Sequence, residues 1–135
     1  ADPLQGKILK VAIAELVKDL QYRTEISFHY HNDIPDRLYK EITSTVYRIV
    51  QEALTNMIKH SEATEVEISL QLVVNYLEDQ VKDNGTGFDP QENTTGFGIQ
   101  GMRERTTALG GKFNLVSLPG KGCHFTATIP LVDKL

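Results

Sequence analysis

Apolar residues recur along this chain of 135 residues with two different periods, and the periods alternate. Leu9, Ile13, Leu16 and Leu20 share one stripe, which predicts an amphipathic helix over residues 4–21. Residues 25–31 switch to a period of two, with Ile26, Phe28 and Tyr30 on one face, and read as a strand. Residues 32–36, ending in Pro35-Asp36, make a turn and a helix start. The helical period returns over 37–60 through Leu38, Ile42, Val46, Ile49, Ala53 and Met57. Alternation resumes over 65–74 through Val66, Ile68, Leu70 and Leu72. Asn75 is a hairpin turn, and 76–83 is the partner strand, where Leu77 and Val81 face the way Asp83 faces. Asn84 to Thr95 is a polar loop, long for so small a domain, and marks a lid over 88–101. A helix at about 98–109 stops at Gly110-Gly111. Strands at 112–118 and 123–130 are joined by Pro119-Gly120-Lys121-Gly122. This order predicts an α+β fold: a two-layer α/β sandwich, one mixed and mostly antiparallel sheet with helices on one face.

Composition bounds the chemistry. The length suits one domain over 1–135, in which Ala1-Asp2-Pro3 reads as an expression scar. Hydrophobic content of 40% is that of an ordinary globular domain. A net charge of −4 argues against broad binding to nucleic acid or an anionic membrane. No apolar run approaches the ~20 residues of a membrane helix, and no signal-peptide pattern opens the chain. The single Cys123 excludes an internal disulfide and fits a reducing, cytoplasmic compartment. His29, His31 and His124 fall on the polar face of their strands, and His60 ends the long helix, where a cation suits the dipole. Four histidines and one cysteine have no zinc spacing and build no catalytic triad.

Three stretches carry candidate chemistry. Glu52, Asn56 and Lys59 lie at i, i+4 and i+7 and share a helix face. Two oxygen ligands suit a hard cation and the ammonium suits a phosphate. On these three residues alone, a solvated helix face is the simpler account. Asp83 ends a strand on its interior side, and a buried carboxylate needs donors, such as an adenine amine. Gly85 and Gly87 would leave room for a flat ring. A plain Asp-Asn-Gly turn accounts for the same residues. Gly96, Gly98 and Gly101 match the spacing of the dinucleotide fingerprint. The preceding residues are polar loop and no acid follows at ~20 residues, so that reading is rejected. Glycines opening a helix still present N–H groups to phosphate.

Order and spacing together resemble the ATP-binding domain of gyrases, the heat-shock chaperone, histidine kinases and MutL, the Bergerat fold. Val46 to His60 looks like its N box, Asp83-Asn-Gly-Thr-Gly-Phe88 like the adenine-acid box, and Gly96 to Met102 like its glycine box. Pro119 to Phe125 and Ile129-Pro130-Leu131 look like its closing hairpin. The N box and Gly101-Met-Arg-Glu-Arg105 are most similar to nitrate-sensor-type sensor histidine kinases. The resemblance implies a two-component kinase domain using ATP and Mg2+. Asn56 would ligand the metal, Glu52 would assist, and Lys59 would touch phosphate. Asp83 would take the adenine amine, with Gly87 beside the ring. His60, Gly85, Gly96, Gly98, Ile99, Gly101, Met102 and Cys123 would complete the nucleotide site. The γ-phosphate would pass to a histidine by positioning and charge stabilisation. The implied partners are a dimerisation domain bearing that histidine and, through it, a response regulator, and the isolated domain would be monomeric without direct membrane contact.

Two residues depart from the family pattern. Cys123 stands where a threonine hydroxyl would support the acid, and a thiol is a weaker donor. Asp79 falls on the face of Leu77 and Val81, so the strand is expected to be partly exposed there or to shift register. The family's acceptor motif is absent, which implies a catalytic fragment without its own phosphoacceptor. Two alternatives remain: a degenerate module that docks partners without turnover, and a stand-alone kinase acting on an anti-sigma antagonist. Tyr47-Arg-Ile-Val-Gln-Glu52 and the Gly-Met-Arg-Glu-Arg wording disfavour the latter.

Overall fold

The computed structural model describes residues 2–87 and 98–131. Eight elements follow in the expected order: α1 (Leu9–Arg23), β1 (Ser27–Asp33), α2 (Lys40–His60), β2 (Glu65–Val73), β3 (Tyr76–Asp83), α3 (Ile99–Ala108), β4 (Lys112–Ser117) and β5 (Cys123–Pro130). The strands form one sheet in the order β1-β2-β3-β5-β4. β1 and β2 are parallel, and every other pair is antiparallel. The parallel step follows from α2, whose 21 residues carry the chain back along the sheet before β2 begins. A second crossover, β3-α3-β4, leaves a gap between its two strands, and β5 fills it.

Period decides what lies inside. β5 alternates strictly, burying Cys123, Phe125, Ala127 and Ile129. The α2 stripe Ile42, Val46, Ile49, Ala53 and Met57 is buried against that face, as its spacing predicts. Each fully buried Leu or Ile side chain contributes about 1.5–3 kcal/mol. α1 packs on α2 and β1, and α3 packs on α2, β4 and β5. The opposite sheet face is polar: His29 and His31 are exposed there, and His124 pairs with Gln80 at 2.7 Å.

Element ends depart from the pattern for local reasons. α1 begins at Leu9, not residue 4, because Gln5 and Gly6 turn with positive φ. Asp2 closes that turn by accepting the N–H of Leu4 at 2.9 Å and of Gly6 at 3.0 Å. α2 begins at Lys40 rather than 37, after an extended Tyr39. Leu72 shares the inner face yet is 42% exposed, since it sits at the sheet's end beside the hairpin. In that hairpin it is Val74, not Asn75, that carries the positive φ of 58°.

Asp79 overturns both expectations for its strand. It is 1% exposed and stays in register, between Leu70 on β2 and Ala127 on β5. Its Oδ2 has no hydrogen-bond partner among the described residues. Burial raises its pKa well above the usual carboxylate value, and the neighbouring Glu78 adds to the effect. The strand therefore buries the acid in register rather than exposing or shifting it, and burial favours its protonated form.

Asp79→Val should stabilise the chain by about 1–3 kcal/mol, the cost of an unsatisfied buried polar group. The raised folded pKa fixes the sign with pH. The unfolded chain loses this proton near pH 3.8 while the folded chain keeps it, so stability falls as pH rises from there toward the folded pKa. Urea unfolding at about pH 5 and about pH 8 should show a gap between variant and parent that widens with pH. An equal gap at both values would mean that Asp79 is ionised in the fold.

Candidate functional site

Three element ends converge beside Asp83. The last turns of α2 and its cap supply Asn56, Met57, His60 and Ser61, the end of β3 supplies Asp83 and the loop after it Gly87, and β5 supplies Cys123 and Phe125. Together they line a small pocket that opens to solvent. Asn56 and His60 stand one helical turn apart, so α2 presents both to it. Met57 and Phe125 give it an apolar wall, and Asp83 a carboxylate.

Asp83 is 4% exposed. One oxygen, Oδ1, accepts the N–H of Gly85 at 2.6 Å. The other, Oδ2, has no partner among the described residues. Burial raises the pKa, while the N–H groups of Gly85 and Cys123 pull it down. A ligand donor reaching Oδ2 would satisfy the Asp83 oxygen left without a partner among the described residues, and a flat heteroaromatic amine fits that chemistry and the apolar wall. Cys123 lies directly across the sheet from Asp83, and Ser117 across from Cys123. Burial and the Asp83 charge push the Cys123 thiol up to about 12, against a hydrogen bond with Ser117.

The loop after β3 is fixed by close backbone approaches. A methyl on Gly85 would collide with the Ser61 carbonyl, which accepts the N–H of Thr86 at 2.6 Å. One on Gly87, whose φ is 65°, would strike the carbonyls of Leu118 and Gly122. The room expected for a ring over Gly85 is thus filled by Ser61, because the loop docks onto the end of α2. Asn84 ties the loop to β2, accepting from the N–H groups of Thr64 at 2.9 Å and Glu65 at 3.0 Å.

The other expected residues divide. Asn56, His60, Asp83, Gly87 and Cys123 meet in the pocket. Lys59 is exposed on α2 outside its lining. Glu52 faces α3, where Arg105 Nη1 donates to its Oε2 at 2.6 Å. Gly98 and Gly101 lie in the first turn of α3 against Glu52. Ile99 packs on the core and Met102 is fully buried in it, and neither is in the lining of the pocket. Gly96 and most of the lid expected over 88–101 lie outside the described residues. Ser61, Asn84, Ser117 and Arg105 were missed by sequence reasoning, since their partners are distant in the chain. Among the described residues no three of His, Cys, Asp and Glu cluster to hold a metal. The oxygens of Asn56 and Glu52 suit magnesium, which binds few protein ligands when phosphate supplies the rest.

Residues 41–133 match the family described as histidine kinase-, DNA gyrase B- and HSP90-like ATPase. The chain is 34% identical to sensor histidine kinase LiaS of Bacillus subtilis over 130 residues, covering 95% of this chain and 36% of LiaS. It is 36% identical to sensor protein VraS of Staphylococcus haemolyticus, covering 95% of this chain and 37% of VraS. The chain therefore spans little over a third of these relatives. Among solved structures, it superposes on a blue-light activated histidine kinase of Erythrobacter litoralis with TM-score 0.78 and 21% identity, over 94% of this chain and 43% of that one. The catalytic domain of histidine kinase ThkA gives TM-score 0.65 and 20% identity, over 91% and 90%. These two likenesses establish the fold, a two-layer sandwich of the expected kind.

Cys123 is 5% exposed with its thiol pushed up to about 12, so almost no thiolate is present near neutrality. A thiol-disulfide reagent added at about pH 8 should label it slowly in the folded chain and rapidly in denaturant. Fast labelling of the folded chain would show that β5 opens beside Asp83.

Proposed function

The chain belongs to the histidine kinase-, DNA gyrase B- and HSP90-like ATPases, and from that membership we propose that it is the ATP-binding catalytic domain of a two-component sensor histidine kinase. The observation that carries this is Asp83: a buried carboxylate on a pocket wall, with one oxygen held by Gly85 and the other without a donor. The adenine amine would take Oδ2, with the ring against Met57 and Phe125. Asn56 would hold magnesium, assisted by Glu52, and Lys59 would approach the phosphates from the exposed side of α2. Bound magnesium supplies charge neutralisation at the phosphates. The protein's part is to orient the nucleotide and keep water from its base.

The phosphate acceptor would be a histidine on a dimerisation domain outside this chain, from which a response regulator is served. The names of LiaS and VraS support a sensor kinase as the parent, and they do not support the nitrate-sensor subfamily that the sequence suggested. No described helix is long and apolar enough to cross a membrane. A cytoplasmic position for this domain is part of the proposal. A docking module without turnover is the second reading, favoured by Cys123, whose thiol is a weak donor beside Asp83. Magnesium-dependent ATP affinity separates the two.

Asp83→Asn offers the adenine amine a group that presents a donor, and should weaken ATP binding roughly tenfold to a hundredfold, or about 1–3 kcal/mol. Calorimetry on both chains measures it, and equal affinity would remove Asp83 from the site.

Labelling with γ-radiolabelled ATP tests the missing acceptor. His29, His31 and His124 lie on the sheet face turned away from the helices, and His60, at the end of α2, lines the pocket beside Asp83, where the base rather than the γ-phosphate would sit. In-line transfer requires approach to about 3–3.5 Å, which a rigid domain does not offer its own surface. The chain alone should stay unlabelled, and an added histidine-bearing hairpin of the parent kinase should become weakly labelled. Acid-labile label on the chain alone would make one of its own histidines the acceptor.

A further inference from the structure

Arg105 joins two elements that otherwise meet through small contacts. Its Nη1 lies 2.6 Å from Glu52 Oε2, bridging α3 to α2, with Arg105 40% and Glu52 32% exposed. The guanidinium crosses Gly101, where a methyl would stand 3.4 Å from Nη1 and 4.0 Å from Glu52 Oε2. The second carboxylate oxygen, Oε1, presses on Gly98, where a methyl would collide with it. Gly98 has a φ of 64° and caps the amino end of α3, so the carboxylate rests in the positive end of the helix dipole. One oxygen of Glu52 is thus held by Arg105 in the last turn of α3, and the other stands against Gly98 at its start.

Glu52 lies one turn before Asn56 on α2, and Asn56 lines the pocket. A cation held by Asn56 can recruit Glu52 only if the carboxylate leaves α3. The pair is part-exposed, so its net worth is small and a divalent ion can displace it. The guanidinium also repels a cation at that distance. We propose that Arg105 is a positioning residue that competes with magnesium for Glu52, holding the carboxylate on α3 until metal and nucleotide arrive together. This rests on the reading of Glu52 as an assistant to the metal. It gives the two arginines of Gly101-Met-Arg-Glu-Arg105 separate tasks. Arg103 lies over the Phe113 ring at 5.2 Å and donates to the Phe113 carbonyl at 3.3 Å, anchoring β4. Arg105 instead pairs with Glu52 on α2.

Magnesium chloride titrated into the chain with ATP, followed by calorimetry, tests the competition. Arg105→Gln should lower the magnesium concentration at half-saturation by about threefold to tenfold, and Arg105→Lys, which keeps the charge, should stay near the parent. Glu52→Gln should raise it, and adding Arg105→Gln to Glu52→Gln should change nothing further. Thermal unfolding of each variant verifies the fold. A shift in Glu52→Gln without one in Arg105→Gln overturns the competition and leaves the metal role of Glu52 standing. No shift in either overturns both. A higher requirement in Arg105→Gln also overturns it, since Arg105 would then support the metal site.

Discussion

A carboxylate stays ionised inside a protein only where donors replace the water it has lost, and the site depends on how Asp83 meets that condition. One of its oxygens is satisfied by the Gly85 N–H at 2.6 Å. That bond requires the chain to double back directly after β3, close enough to touch the end of α2. Ser61 and the Leu118–Gly122 turn crowd Gly85 and Gly87 so tightly that no side chain fits at either. Asn84, just before them, is tied to the start of β2. The turn thus locks α2, β2, β3 and β5 into one corner, and the pocket is what the corner leaves open.

Asp79 and Asp83 show that burial alone does not make a site. They share one face of β3, both nearly free of solvent contact, and burial raises the pKa of both. Asp79 is sealed between Leu70 and Ala127 with Leu77 and Val81 beside it, and no backbone N–H reaches it. Asp83 has Gly85 on one oxygen and a pocket before it. The first is a burden on stability. The second couples the fold to whatever donates to it.

Period carried the fold. The α2 stripe and the alternation of β2, β3 and β5 are local properties, so the sandwich and its helical face could be read from the residues alone. The grouping of Asn56 with Asp83 came instead from the family resemblance, since on its own residues the Glu52, Asn56 and Lys59 face read as a solvated one. What escaped was set by contacts between distant segments. Nothing near Glu52 announces Arg105, 53 positions away, as its partner. Ser117 enters only because β4 pairs with β5 in a register that aligns it with Cys123. The rejected first turn of α1 failed for a local reason, two successive left-handed residues, which Gln5 conceals because its side chain does not advertise a positive φ.

The third helix is where fold and site trade most directly. α3 has ten residues and buries only Met102 and Thr106, and helices this short are marginal by themselves. Its place is set by three anchors pointing in three directions: Met102 into the core, Arg103 onto Phe113, and Arg105 onto Glu52. The first two are an apolar burial and a cation on an aromatic face, and an incoming phosphate or metal cannot substitute for them. The third pairs two charges that a metal nucleotide can each attract. Of these three anchors, only the ion pair is made of the same chemistry as a metal nucleotide, so on the proposed reading ligand binding would act on the helix through Arg105.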